Sequence, residues 1–166
     1  MNEMANKNEL KPLDVILIGG DNLIGKVIRK ITKCEYSHVG IIIEHLGELY
    51  VCEAKAKGFY PTKPVREWFL THPGRVKVLR AKMEMSKKVG YERLGRLIGN
   101  PYEFTNLVVY QLINEYTGKW IGTKGSKKLI CSEAIAWVYK EYFDKPYLVT
   151  PKIILNSDKF REICGY

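Results

Sequence analysis

Cys131 is the side chain with the most chemical promise in this sequence. It follows the apolar approach Leu129-Ile130 and opens a segment in which Ile135, Val138, Tyr139 and Tyr142 recur at helical spacing. The preceding Thr123-Lys124-Gly125-Ser126-Lys127-Lys128 reads as loop, so the spacing predicts a helix that begins at Cys131 or Ser132. A thiol in that first turn faces backbone N–H groups with no intrahelical partner and the positive end of the helix dipole. Both favour thiolate and depress the pKa from its ordinary ~8.5. A cysteine taken alone is more often a buried structural residue than a nucleophile. The chemical reading therefore requires a base elsewhere in the chain.

His38 supplies one. It lies in Tyr36-Ser37-His38-Val39-Gly40-Ile41-Ile42-Ile43, a run rich in β-branched residues that reads as a central strand, with Leu49 to Ala54 as its hairpin partner. An imidazole inside an apolar strand needs a polar partner. Taking Glu44-His45-Leu46-Gly47 as a four-residue turn closes Ile43 against Glu48 and places His38 opposite Glu53, within reach of one hydrogen bond. A one-residue slip would break that pairing. His45 falls in this turn and His72 precedes Pro73 in a loop, so both read as solvent-exposed polar residues. Nucleophile, base and a third group that orients the base are the requirements of thiol hydrolysis, met here by Cys131, His38 and Glu53. The backbone N–H of Cys131 is one candidate oxyanion donor. Tyr36, two residues before His38 and hence expected on the same strand face, is the candidate second donor, and Ser37, on the other face, is a flanking candidate contact.

These residues need elements to hold them. Leu13 to Ile18 reads as a buried strand ended by Gly19-Gly20, followed by a helix capped by Asp21 with Leu23, Ile24, Val27, Ile28 and Ile31 as its apolar stripe. Pro64 to Leu70 reads as a short helix, Arg75 to Arg80 as a strand, and Ser86 to Ile98 as a helix closing at Gly99-Asn100-Pro101. Phe104 to Tyr116 reads as another helix; Thr150-Pro151 opens a helical turn and Ser157 caps one more.

With 166 residues the chain fits one domain over 1–166, large enough to bury roughly 70% of its unfolded surface. No apolar run approaches the ~18 residues of a membrane span, and the polar start carries no secretory signal, so the expected location is the cytoplasm. Cys34, Cys52, Cys131 and Cys164 stand singly, without the paired spacing of a zinc site or the density of a disulfide scaffold. The formal charge of +9 attracts polyanions in general, and no RNA or recognition-helix motif points to a specific nucleic acid.

The motifs, taken in order, resemble a family. Tyr36-Ser37-His38-Val39-Gly40-Ile41, then Glu53, then Ile130-Cys131-Ser132-Glu133 is similar to the circularly permuted papain-fold cysteine hydrolases of the YiiX/YebB type, relatives of the NlpC amidohydrolases. The histidine precedes the cysteine, as in the permuted group and unlike papain. Leu10-Lys11-Pro12-Leu13-Asp14-Val15-Ile16 resembles the family's opening Pro-Gly-Asp strand, with Leu13 in place of its glycine. Gly99-Asn100-Pro101-Tyr102-Glu103 resembles its Gly-x-Pro-Tyr-Asp segment, with Glu103 in place of its aspartate, and Thr150-Pro151 to Phe160 its closing Ser-Pro helix. The resemblance implies an α+β fold, a small antiparallel sheet or half-barrel packed against helices. It also implies Cys131 as nucleophile, His38 as base, Glu53 as orienting acid and Tyr102 as a substrate contact, with no metal or cofactor. The implied reaction is cleavage of an amide in a peptide or N-acyl substrate, such as a cell-wall peptide. Two alternatives stand beside it. One is a lipid-directed thiol acyltransferase or deacylase, with Phe59, Trp68, Phe69 and Trp120 lining an acyl groove; the other is a binding module that keeps the fold.

Overall fold

The computed structural model describes residues 10–20, 22–55, 57–72, 74–100 and 131–165. Six strands form one antiparallel sheet: β1 (Val15–Gly19), β2 (His38–His45), β3 (Glu48–Lys55), β4 (Gly58–Pro64), β5 (Arg75–Ala81) and β6 (Phe160–Gly165), in the spatial order β4-β3-β2-β1-β5-β6. The helices are α1 (Leu23–Thr32), α2 (Val65–Thr71), α3 (Lys87–Leu97), α4 (Cys131–Val138) and α5 (Pro151–Leu155), with a 3-10 turn at Pro146–Leu148. The architecture is α+β. Alternation along the strands divides the core in two. Val15, Leu17, Val39, Ile41, Cys52 and Ala54 face a layer built from α3, α4 and α5, while Ile16, Ile18, Ile42, Val51 and Val78 face Leu10 and the α2 residues Val65 and Trp68. All five residues of β1 are buried, as expected of a central strand covered on both faces.

Several expectations are corrected. The β2–β3 turn has two central residues, not four: Leu46 and Gly47 both take positive φ, 50° and 79°, and His45 pairs with Glu48. That is the type I′ geometry of tight hairpins. Gly40, not His38, therefore stands directly opposite Glu53. Helix α1 is capped by Asn22, whose side chain accepts from Gly25 N–H at 2.6 Å, rather than by Asp21. Its apolar stripe is only partly inward: Ile28 is buried, whereas Leu23 and Val27 are exposed. Ser157 caps no helix; its hydroxyl accepts from Lys159 N–H at 3.3 Å and the chain enters β6. β4 carries no strand signal in the sequence because Pro61 and Pro64 interrupt it, which the edge of a sheet tolerates. The helix expected over 104–116 lies outside the described residues.

Candidate active site

His38 is the first residue of β2 and Cys131 the first of α4. The imidazole shares a sheet face with Glu53, whereas α4 packs on the opposite face over Val39 and Ile41. The two layers meet at the start of β2, where the thiol and the imidazole are hydrogen-bonded and the backbone N–H groups of Val39 and Ser132 also donate to the sulfur. His38 Nε2 lies 3.0 Å from Glu53 Oε2. Since that ring nitrogen is taken, Nδ1 is left to face the thiol. Cys131 is 1% exposed, while 22% of the His38 side chain is open to solvent. The imidazole is thus the more open of the two groups.

The reach from His38 to Glu53 is diagonal, one pair away from the direct cross-strand partner. Gly40 leaves that diagonal open. A methyl group there would fall 3.4 Å from Glu53 Cβ and 3.0 Å from the Cys52 carbonyl. Glu53 is itself 1% exposed, and a charge so buried must be surrounded by donors. Its second oxygen, Oε1, accepts from Trp68 Nε1 at 2.9 Å and lies 3.1 Å from Lys55 Nζ and 3.2 Å from Thr62 Oγ1. Thr62 is the extra residue of a β-bulge: Val51 pairs with Lys63 and Cys52 with Pro61, leaving it unpaired beside the carboxylate. Trp68 stacks on His72 at 4.1 Å between ring centroids, which holds the plane of the indole.

These contacts set the charges. Burial opposes ionisation of Cys131, but the adjacent imidazolium and the N–H donors from His38, Val39 and Ser132 outweigh it and hold the thiol below its ordinary range. Burial likewise works against a charged His38, yet the Cys131 and Glu53 charges and hydrogen bonds raise it to about 10. Glu53 is held at about 2 against its burial, by bonds from His38 and Trp68 and by the Lys55 charge. The other cysteines contrast with Cys131: burial raises Cys34, and pushes Cys52 up to about 12. At neutral pH the arrangement is a thiolate–imidazolium pair backed by a carboxylate, a nucleophile and a proton donor side by side.

Not every expected site residue joins them. Tyr36 precedes β2, so the same-face argument does not apply to it. It is buried in the helix-side cluster, and beyond that burial its electrostatic neighbours are Lys77, Glu35, Glu162 and Cys34, with neither Cys131 nor His38 among them. Ser37 is buried and donates its backbone N–H to the Ile18 carbonyl at 2.9 Å, a ladder contact. Tyr102 lies outside the described residues. Phe59 and Trp68 are packed in the core rather than lining a groove, Phe69 packs against it, and Trp120 lies outside the described residues. Sequence reasoning missed Gly40, Lys55, Thr62 and the N–H of Trp68. Lys55 had a signal, two residues from Glu53 and hence on its face. Trp68 had one too, since a buried indole seeks an acceptor.

Comparison with protein families matches residues 14–162 to the model of the permuted papain-like amidase enzymes, YaeF/YiiX, C92 family. Among solved structures, a protein described as metalloprotein YiiX from Escherichia coli O157:H7 superposes with a TM-score of 0.60 at 17% identity, covering 94% of this chain and 97% of that one. Comparison with curated proteins gives no match. The metal in that description belongs to that protein; among the described residues here no three His, Cys, Asp or Glu side chains gather into a ligand set. No helix of the described residues is long and apolar enough to cross a membrane.

Proposed function

Since this chain belongs to the permuted papain-like amidases, a family of cysteine hydrolases, we propose that it cleaves an amide of a peptide or N-acyl substrate with Cys131 as nucleophile, His38 as proton carrier and Glu53 as the acid that orients His38. The observation that supports this reading best is the continuous run of hydrogen bonds from the sulfur through the imidazole to a buried carboxylate. In the proposed cycle Cys131 Sγ attacks the carbonyl carbon, and the Cys131 backbone N–H holds the developing oxyanion at the start of α4. His38 gives its Nδ1 proton to the leaving amine as the C–N bond breaks, leaving a thioester. The now neutral imidazole takes a proton from water as the water oxygen attacks the thioester carbon; the C–S bond then breaks, which releases the acid and restores the thiolate–imidazolium pair. Cell-wall peptides are the substrate class that the family resemblance suggests.

Alkylation by iodoacetamide across pH, followed by peptide mapping, tests the pair. The wild type reacts at Cys131 well below pH ~8, His38→Ala loses that acid reactivity, and Glu53→Gln weakens it. Should Cys131 react no faster than Cys34 or Cys164 at about pH 6 to 7, where an ordinary thiol is protonated, the reading fails.

A further inference from the structure

Away from the triad, at the other end of the sheet, the described residues enclose an open cleft of about 760 Å³ between the start of β1, the end of β5 and the first turn of α3. Asp14 lines it, and Ile18, which pairs with His38, lies four residues further along β1, so the cleft sits roughly 13 Å from the proposed reacting groups. Five cations face it: Lys11, Arg80, Lys82, Lys87 and Arg161. Arg80 is committed to Asp14 through two bonds of 2.7 Å, and Lys87 to Glu44 at 2.8 Å. Lys11, Lys82 and Arg161 have no side-chain ion pair among the described residues, and the cleft's remaining carboxylate is Glu84. Three unpaired cations against one carboxylate leave an excess of two positive charges.

The strand register makes this excess a built feature. Before the irregularity in the β5–β6 ladder Val78 pairs with Cys164; beyond it Leu79 pairs with Glu162 and Arg80 with Arg161. An unbroken ladder would have set Glu162 opposite Arg80. The bulge at Ile163 instead sends Glu162 to Lys77, 2.8 Å away, and brings two guanidinium-bearing residues face to face. Asp14 neutralises Arg80, so the charge that this opposition leaves without a carboxylate is that of Arg161. The Arg161 guanidinium fork and the point charges of Lys11 and Lys82 are donors of the kind that tetrahedral phosphate accepts. A phosphomonoester carries ≈ −1.5 to −2 at neutral pH, which matches the excess.

We infer that this cleft binds a phosphomonoester, separately from the amide-cleaving centre. The group is presented either by a soluble metabolite or by a lipid headgroup. Glycerol 3-phosphate titrated into the 15N-labelled full chain shifts the backbone signals of Met83 to Lys87 saturably, and phosphatidylcholine vesicles cosediment the chain only when they contain phosphatidic acid if the lipid is the source. Arg161→Glu and Lys82→Glu, both at exposed positions, each weaken binding by about tenfold or more, while Lys26→Glu on α1, the same charge change away from the cleft, shifts it by less than about twofold. Three results overturn the inference: neither phosphate form binds saturably, Lys26→Glu weakens binding as much as Arg161→Glu, or succinate, a dianion without phosphate, binds as tightly.

Discussion

The buried carboxylate of Glu53 holds the imidazole charged, and the imidazole holds the sulfur charged, so the two ends of the relay respond differently to pH. Alkylation needs only the thiolate. It rises through the depressed Cys131 pKa and stays high. In the proposed cycle amide turnover also needs the His38 proton for the leaving amine, and that proton is lost as pH rises through about 10. The two profiles, measured on one preparation, are expected to coincide in acid and separate in alkali, with turnover falling while alkylation holds. A second prediction concerns the indole. Glu53 has a folded pKa of about 2, below the ordinary ~4.3 of an unfolded chain, so its contribution to stability is present above ~4.3 and lost as pH falls through about 2. Trp68→Phe removes a donor to this carboxylate and is expected to cost about 1.5–3 kcal/mol near neutral pH. The deficit shrinks once the carboxyl is protonated. Urea unfolding at two pH values reads both the loss and its acid dependence; a deficit that is the same at both would assign Trp68 to packing alone.

At the level of the hairpin, the type of turn and the face of the strand are fixed by different features of the sequence. Alternation has a period of two, so an offset of two residues between the expected and observed registers leaves His38 and Glu53 on the same face and merely exchanges a direct contact for a diagonal one. The contact of His38 with Glu53 was therefore legible although the turn was not. Leu46 hid it: a leucine at φ 50° and 93% exposed gives no sign of the left-handed conformation that Asn-Gly announces. Leu46→Asn is expected to stabilise the fold by about 0.5–1 kcal/mol in urea unfolding, since the left-handed region costs a β-carbon-bearing residue ~1–2 kcal/mol and asparagine tolerates it. Gly40→Ala tests the diagonal. Its methyl crowds the Cys52 carbonyl at 3.0 Å and Val51 Cγ1 at 3.3 Å, at an overpacking cost of about 1–3 kcal/mol, and the shift of β3 against β2 that relieves it carries Glu53 away from His38, so the His38 pKa followed by NMR falls from about 10 toward its ordinary value. What lay beyond reading comes from contacts that no local pattern encodes. Thr62 reaches Glu53 from a bulge in a proline-interrupted edge strand, and Tyr36 lies outside the strand because β2 begins two residues later than its β-branched run suggests.

Across the molecule, the layers are joined at the start of β1, at Leu13. Its backbone is left-handed, with φ at 74°. Leu13 N–H donates to the Ile42 carbonyl at 2.7 Å, its own carbonyl accepts from the Tyr139 hydroxyl of the chain just after α4, and the adjacent Asp14 is clamped by Arg80 of β5. One turn thus ties two sheet neighbours and the segment that carries Cys131 together. The side chain compensates for its backbone: burying a leucine is worth ≈ 1.5–3 kcal/mol against a left-handed cost of ~1–2 kcal/mol. Gly90 of α3 makes that burial possible, because a methyl there would fall 2.5 Å from Leu13 Cδ1. Gly90→Ala alone is expected to destabilise, since overpacking of about 1–3 kcal/mol outweighs the ~1 kcal/mol that alanine gains over glycine in a helix. Leu13→Gly alone relieves the backbone but empties the notch. Combined, the methyl at 90 occupies the space vacated at 13 while both residues suit their backbones, so the double variant should be more stable than the sum of the single changes by about 1 kcal/mol or more. Additive effects in that cycle would mean that α3 is held to the sheet by something other than this leucine seated in its glycine notch.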